Sequence, residues 1–360
     1  PSSFLVVERE RETLAAIDRA MGGVGRVGCA DGVDGRAIGR ADVGLRSAGE
    51  VADTLARLER SDRSGARVPL TFPSEPWSAR TFFNLAPILA DADSGANGFV
   101  IAVHPDYEEL DLGCLLRPEP RTGAAVPSGA SPLGASALPL GSGASPCPPS
   151  RILPSAALEA VVWSWALLQR WADHRALLSI PFINGGKDSA SGQSLACFHA
   201  QFYALAADPP PPSYGCSRGW AAAEECPLCA LRDVGGFEVT RVGSVGVFAH
   251  PAPEIELTLL VASLGHAGGI TDLPDPADLA KALALAVRSY EHLLGGVPPY
   301  NIVVRTGAGA GHLHAEVMPR AGVPVAAGFE KATGLFVSTR DPRVLAEGLR
   351  AWVEGRAPAP

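Results

Sequence analysis

The sequence predicts an α+β protein formed by a tandem duplication, in which each of two similar units is a mainly antiparallel sheet with a packed helix. The chain has 360 residues, enough for two domains with hydrophobic cores. One order of elements occurs twice: two strands, a helix, a strand, a glycine-rich loop and a strand with an ionisable face. We therefore expect a first unit at 1–208 and a second unit at 209–360.

Each predicted unit contains four apolar or alternating segments typical of strands and one segment with helical spacing. In the first unit, strands are expected at 81–89, 98–103, 179–184 and 197–205, and a helix around 154–176. In the second unit, strands are expected at 243–250, 256–262, 300–306 and 312–320. The second helix has clear end signals, with Asp275 as N-cap, Pro276 in the first turn and Gly295 as the stop.

Two biased stretches interrupt these elements. Residues 118–150 contain 25 Pro, Gly, Ala or Ser out of 33, too few apolar side chains to fold alone, and predict a floppy insertion in the first unit. Four consecutive prolines at 209–212 predict a stiff connector between the two units.

Composition excludes several classes of function. A formal net charge of −8 without a basic stripe argues against a nucleic-acid polymer as partner. No run of about 18 apolar residues occurs, so we expect no membrane span. The N-terminal stretch has acids and arginines beside its apolar residues, unlike a signal peptide. Seven cysteines are an odd and sparse set, which favours a cytoplasmic protein with a metal site over a disulfide framework.

The last strand of each predicted unit has one apolar and one polar face, because successive strand residues point to opposite sides. In the second unit the polar face holds His312, His314, Glu316 and Met318, with Leu313, Ala315 and Val317 opposite. In the first unit it holds Cys197, His199, Gln201 and Tyr203, with Phe198, Ala200 and Phe202 opposite. Buried polar side chains need hydrogen bonds, a metal or a cleft, so these faces are candidate sites.

These motifs resemble the galactose-1-phosphate uridylyltransferase branch of the histidine-triad superfamily. The run from Asn184 to Gln201 is similar to the pattern N-x-G…G-x-S-x-x-H-x-H-x-Q, with Cys197 in the position of the first histidine. Further segments are similar to the family downstream: CPLC at 226–229, PYN at 299–301, HLHAEVMPR at 312–320 and AGFEKATGLFVSTRDP at 327–342. The resemblance runs from about residue 80 to about residue 350, and it implies a fold of two histidine-triad-like units.

The resemblance implies that His199 is a nucleophile that forms a covalent nucleotidyl intermediate. A neutral imidazole suits this role because the phosphoramidate that it forms stays reactive. Gln201 matches the family's transferase glutamine, whose neutral amide binds phosphate without activating water. Four further residues match nucleotide-binding or phosphate-binding positions of the family: Asn84, Asn184, Gly192 and Ser194. A plain hairpin connection is the alternative for the glycine loop.

Cys197 departs from the family pattern, in which this position is usually a histidine that binds zinc. No C-x-x-C precedes it in the first half to complete such a site. We therefore expect no zinc in the first unit. The sequence leaves three interpretations of Cys197 open: a buried thiol, a metal ligand or a redox-sensitive thiol.

The second unit contains a candidate structural zinc site. Cys226 and Cys229 form a C-x-x-C pair, and His266 and His312 each follow a predicted strand, which together would make a tetrahedral Cys2His2 set. Similar sites occur in histidine-triad domains. We expect no catalytic role, since a set of four protein ligands leaves no open position. Free thiols are the alternative.

The sequence allows two interpretations of His314 and Glu316. In the family, the second H-x-H is usually structural or linked to a metal. Alternatively, His314 is itself the nucleophile and the first unit is degenerate, although a carboxylate at Glu316 would repel an incoming phosphate.

The segment around Phe329 and Glu330 resembles the part of the family that contacts sugar hydroxyls, often across a homodimer interface. Residues 331–340 lack the family's downstream glutamine, so the identity of the sugar stays open. Glu330 as a cap or an ion-pair partner is the alternative.

Taken with the resemblance, these motifs predict a nucleotidyltransferase that exchanges a nucleoside monophosphate between a nucleotide sugar and a sugar phosphate. One alternative is a phosphorylase acting on nucleotide sugars or dinucleoside polyphosphates with inorganic phosphate as acceptor. Another alternative is a non-catalytic nucleotide-binding protein stabilised by zinc, in which Cys197 marks loss of the active strand.

Overall fold

The computed structural model describes most of the chain after residue 78, with several gaps. The described residues are 79–83, 97–103, 156–185, 191–192, 198–205, 226–306, 312–320, 328–333 and 335–356. The predicted insertion at 118–150 and the predicted connector at 209–212 lie outside them.

Nine strands of the described chain form one antiparallel sheet. They are β1 (Ala79–Phe83), β2 (Asn97–Val103), β3 (Leu178–Gly185), β4 (His199–Leu205), β5 (Glu238–Val242), β6 (Val245–Ala249), β7 (Leu259–Ser263), β8 (Tyr300–Arg305) and β9 (His314–Pro319). Their order across the sheet is β1-β2-β4-β3-β8-β9-β7-β6-β5. The predicted α+β class with a mainly antiparallel sheet is therefore confirmed.

Five helices and a short 3-10 helix accompany the sheet in the described residues. They are α1 (Ala156–Asp173), α2 (Pro227–Val234), the 3-10 helix (Ile270–Asp272), α3 (Ala277–Leu294), α4 (Gly328–Thr333) and α5 (Pro342–Val353). The two long helices, α1 and α3, lie where the sequence predicts them. Asp275 caps α3 as predicted, since its carboxylate accepts a hydrogen bond from the Ala277 N–H at 2.9 Å, and Gly295 ends the helix at φ 71°.

The sheet contains two sets of four strands with the same internal order. Taken toward the middle of the sheet, the first set is β1-β2-β4-β3 and the second set is β6-β7-β9-β8. Strand β5 lies at the edge of the sheet, next to β6. In each set a long helix follows the second strand, and the two sets meet where β3 pairs with β8. This order is the one that a duplication predicts, and the duplication itself stays a prediction.

One face of the sheet carries the main hydrophobic core. The apolar sides of β4 and β9, predicted from alternation, lie in it together with buried residues of α1, α3 and α5. Trp165 and Trp171 of α1 are among the largest fully buried side chains. On the second set, the opposite face packs against α2 through a smaller apolar cluster that includes Leu228, Phe248 and Leu260. The polar sides of β4 and β9 therefore lie on the face away from the long helices.

A buried polar network connects helix α1 of the first set to the second set. The Gln169 side-chain oxygen accepts hydrogen bonds from the Thr306 hydroxyl at 2.6 Å and from the Ile270 N–H at 2.9 Å. Thr306 directly follows β8. Gln169 therefore fixes the end of β8 and the start of the 3-10 helix against α1.

Several element bounds differ from those predicted. Strand β9 begins at His314, so His312 lies just before the strand, and β7 begins at Leu259. Among the described residues, no helix has both the length and the apolar character needed to cross a bilayer.

Candidate active site and metal centre

Strand β4 carries the two predicted catalytic residues side by side on one face. His199 pairs with Ala102 of β2, and Gln201 pairs with Val100 of β2 and Phe182 of β3. His199 is 2% exposed and Gln201 is 8% exposed. The indole N–H of Trp165 donates to the Gln201 carbonyl at 3.1 Å, which anchors the strand backbone to α1. The alternation predicted for this strand thus holds in the fold.

Asn184 lies on β3 beside His199 of β4. Ile183 pairs with Ala200 in these antiparallel strands, so the residue after Ile183 lies next to the residue before Ala200. The Asn184 side-chain oxygen accepts a hydrogen bond from the Asn301 amide at 2.8 Å. The same Asn301 nitrogen donates to the Ser191 carbonyl at 2.8 Å. These contacts fasten the glycine loop that follows β3 to the junction of the two strand sets.

Gly192 lies in that loop with φ +83°, a left-handed conformation that favours glycine. Its carbonyl oxygen accepts a weak hydrogen bond from the Asn184 amide at 3.4 Å. The predicted residues Asn84 and Ser194 lie outside the described residues, as does Cys197.

Asn301 belongs to this site although the sequence reasoning did not select it. In the sequence its only signal is the PYN segment at 299–301, which belongs to the family resemblance. The pairing of Asn301 with Asn184 joins strands of different sets, and that register follows from tertiary structure and not from local pattern.

The four predicted metal ligands meet in the second strand set. The cysteine sulfur and histidine nitrogen atoms that could bind an ion all lie within 4.8 Å of one another. Cys226 Sγ is 3.2 Å from His312 Nδ1, and Cys229 Sγ is 3.4 Å from His266 Nδ1. Sulfur and nitrogen ligands of a tetrahedral zinc ion lie about 3.5 Å apart. The residues present therefore form a cluster that could hold a metal ion.

The surrounding structure orients these ligands. The Nε2 atom of His312 lies 3.0 Å from the Ser263 carbonyl, which assigns the ring proton to Nε2 and leaves the Nδ1 lone pair facing the thiols. Burial lowers the pKa of His312, which keeps the ring neutral as a metal ligand requires. Cys226 precedes the first residue of α2, and Cys229 follows within that helix, so the helix start brings both thiols to one side.

His314 and Glu316 lie on β9, after His312 of the candidate metal site. The Nδ1 atom of His314 lies 2.7 Å from the His312 carbonyl, and burial lowers the pKa of His314 to about 4. The Glu316 carboxylate lies 3.4 Å from Nε2 of His250, which is itself 2% exposed. His250 Nδ1 accepts the Ala252 N–H at 3.1 Å, so Nε2 carries the proton and donates to Glu316.

Phe329 and Glu330 lie on α4, at the surface. Phe329 is 54% exposed, and its carbonyl accepts a hydrogen bond from the Thr333 hydroxyl at 2.8 Å. Leu335 and Val337, which follow α4, are also exposed. Phe329 thus lies in an exposed apolar segment and Glu330 beside it is partly exposed, in contrast to the buried His199.

Solved structures share this fold at low sequence identity. A GalT-like protein from Arabidopsis thaliana superposes with a TM-score of 0.56 at 18% identity, covering 78% of this chain and 87% of that chain. An ADP-glucose phosphorylase from Arabidopsis thaliana with bound ADP-glucose gives 0.54 at 18%, covering 77% and 83%. A uridylyltransferase structure gives 0.54 at 20%, covering 81% and 88%.

No protein-family model and no curated protein matches the sequence. The structural likeness confirms the resemblance to uridylyltransferase-like proteins at the level of the fold.

Proposed function

We propose that this protein is a nucleotidyltransferase that moves a nucleoside monophosphate between a nucleotide sugar and a sugar phosphate. The observation that carries the proposal is that His199 and Gln201 lie on the same face of β4, beside Asn184. Asn301 bonds both Asn184 and Ser191 of the glycine loop next to them. The chain shares its fold with a uridylyltransferase and an ADP-glucose phosphorylase, which supports chemistry on nucleotide sugars.

The proposed reaction has two displacements at one phosphorus atom. A ring nitrogen of His199 attacks the phosphorus next to the nucleoside, a P–N bond forms, and the P–O bond to the sugar phosphate breaks with its electron pair on the leaving oxygen. A phosphate oxygen of the second sugar phosphate then attacks, and the P–N bond breaks. Gln201 and the Gly192 loop would donate hydrogen bonds to phosphate oxygens, with Ser194 as a further donor and Asn84 as a contact to the nucleotide.

Zinc at Cys226, Cys229, His266 and His312 would have a structural role in this proposal. A bound ion would connect α2 to the strands of the second set without an open coordination position. The supporting observations are the distances among the four ligands and the hydrogen bond from His312 to Ser263.

The proposal includes two architectural points. The matching strand orders support two duplicated units, 1–208 and 209–360. The exposed Phe329, with Leu335 and Val337 after it, supports a homodimer in which that segment, including Glu330, reaches a sugar in the partner's site. A cytoplasmic location is proposed from the odd and sparse set of cysteines. A sedimentation experiment that finds only monomers at assay concentration would reject the dimer.

A phosphorylase is the second candidate, because a solved ADP-glucose phosphorylase has the same fold. The two reactions share the first displacement and differ in the acceptor, which is a sugar phosphate or inorganic phosphate.

Acceptor exchange tests the proposal. The protein is incubated with UDP-glucose, ADP-glucose or GDP-glucose and with radiolabelled hexose 1-phosphate or orthophosphate. Label that enters the nucleotide sugar from hexose 1-phosphate supports the transferase. Label that enters a nucleoside diphosphate from orthophosphate supports the phosphorylase, and incorporation in neither assay contradicts both. His199→Ala is the matched inactive control.

A further inference from the structure

Asn301 joins the second strand set to the candidate active site of the first set. It lies on β8 and pairs with Asn184 of β3, which lies next to His199. The neighbouring pair fixes this register, because the ring of Tyr300 lies so close to Gly185 that a methyl group there would overlap it. Tyr300 is 2% exposed, so a contact in the core holds Asn301 at one position beside Asn184.

The hydrogen bonds of Asn301 determine which way its amide points. Its side-chain nitrogen donates to the Ser191 carbonyl at 2.8 Å and to the Asn184 side-chain oxygen at 2.8 Å. A backbone carbonyl only accepts hydrogen bonds, so the NH2 end of Asn301 and not its oxygen must face Ser191. Both N–H groups of that nitrogen are then used, and the atom of Asn184 that faces it must be an acceptor.

Asn301 thereby sets the orientation of the Asn184 amide as well. The Asn184 oxygen is bonded to Asn301, so the Asn184 NH2 group lies on the other side of the amide. In the described part of the chain this nitrogen makes one hydrogen bond, a weak one to the Gly192 carbonyl at 3.4 Å. An NH2 group has two N–H donors, so the second donor can serve a ligand that accepts hydrogen bonds.

The surroundings favour a phosphate as that ligand. Asn184 and Asn301 lie in one row across the sheet, between His199 of β4 and Met318 of β9, and the described residues of this row include no carboxylate. Both loop carbonyls are bonded to asparagine N–H groups, which reduces their repulsion of an anion. A phosphate oxygen is a strong acceptor, and His199 is the proposed nucleophile for the phosphorus that carries it.

We propose that Asn301 is a positioning residue of the nucleotide site, which holds the Asn184 amide with its N–H toward the phosphate next to the nucleoside. This inference rests on the proposed function, because that function makes a phosphate the group beside His199. It adds that a residue of the second strand set determines phosphate binding in the first set. The site is therefore shared by both sets.

Binding of nucleotides and nucleosides that have the same base tests this role. Calorimetry with the full chain measures Kd for UMP, AMP and GMP and for uridine, adenosine and guanosine, and the base that the wild type binds best is used for the variants. We expect Asn301→Ala to weaken binding of the monophosphate about 10-fold and to leave binding of the nucleoside unchanged, because only a phosphate contact is lost. A general loss of structure would weaken binding of both ligands.

Coupling to Asn184 separates a positioning role from an independent contact with the ligand. Asn184→Ala should weaken binding of the monophosphate to a similar extent. The double variant, with Asn184→Ala and Asn301→Ala, should bind no more than about 2-fold more weakly than Asn184→Ala alone. Met318→Leu is the matched control, because Met318 pairs with Asn301 from β9, and it should keep the wild-type Kd values.

Several outcomes would overturn this role of Asn301. They are an unchanged Kd for the monophosphate in Asn301→Ala, an equal loss of nucleoside binding, losses that multiply in the double variant, and a wild type that binds none of the three monophosphates. The proposed function is judged separately, by nucleotidyl label on the tryptic peptide 188–218, which contains His199. Phosphate binding that depends on Asn301 without such label would contradict the covalent mechanism and support the positioning role.

Discussion

At the scale of single residues, alternation along β4 determines the chemistry available at the first candidate site. His199 and Gln201 share one face, while Ala200 between them lies in the core. A neutral amide beside the nucleophile can hold phosphate oxygens without repelling them, whereas a carboxylate would add a negative charge at the same distance.

We therefore expect Gln201→Glu to lower kcat/KM for nucleotidyl transfer about 100-fold. The measurement is the initial rate of exchange between a nucleotide sugar and hexose 1-phosphate. Tyr203→Phe is the matched control, because Tyr203 lies on the same face and its ring stacks on Phe182 at 6.0 Å. An unchanged kcat/KM in Gln201→Glu would remove Gln201 from the site.

The shared face of His199 and Gln201 could be predicted from the sequence, because short-range alternation decides which face a strand residue occupies. The sequence was insufficient for Asn301, whose contact with Asn184 depends on the pairing of β3 with β8 across 117 positions of sequence. It also did not reveal that His250 engages Glu316, since that contact joins β9 to the residue that follows β6.

At the scale of elements, helix α2 brings Cys226 and Cys229 to the two histidines of the candidate metal site in the second strand set. The clustering of Cys226, Cys229, His266 and His312 could be predicted because C-x-x-C and histidines after strands are local signals. The helix itself was not predicted, since it has only eight residues. Strand β5 and helix α5 were also missed, although Asp341 caps α5 by accepting the Arg343 N–H at 2.8 Å.

Removing a ligand should release the metal and loosen α2. We expect Cys226→Ser to lower zinc from about one equivalent per chain to a small fraction, and to lower Tm by about 5 °C or more. Metal analysis by mass spectrometry and thermal unfolding measure the two effects. Cys147→Ser, in the stretch at 118–150, should keep both at wild-type values. Less than half an equivalent of zinc in the wild-type protein would reject the site.

Helix α1 should stabilise the second strand set through Gln169. In Gln169→Leu the Thr306 hydroxyl loses its buried acceptor, and the Ile270 N–H keeps only the Thr306 hydroxyl oxygen at 2.9 Å. We therefore expect the free energy of unfolding to fall by about 2 kcal/mol. Urea unfolding measures this change. Ser164→Ala is a control in the same helix, because the Ser164 hydroxyl donates only to the Ala160 carbonyl one turn away, and its cost should stay below about 1 kcal/mol. Equal costs would contradict a role of the network in joining the two sets.

At the scale of the whole molecule, the two sets of four strands and the edge strand β5 form one continuous sheet through the β3–β8 pair. The fold class followed from the repeated order of elements, because period and spacing are local properties. The joining of the sets into one sheet did not follow, since strand order depends on pairings between distant segments. The candidate nucleophile His199 and the metal cluster consequently lie in different sets of the same sheet.

The central claim is a covalent nucleotidyl group on His199. Its most direct test is rapid quenching of the wild-type protein with a nucleotide sugar labelled on the phosphorus next to the nucleoside, followed by mapping of the peptide 188–218 in base. We predict base-stable, acid-labile label on that peptide, and loss of this label in His199→Ala. Turnover of the nucleotide sugar by wild-type protein without label on 188–218 would contradict it.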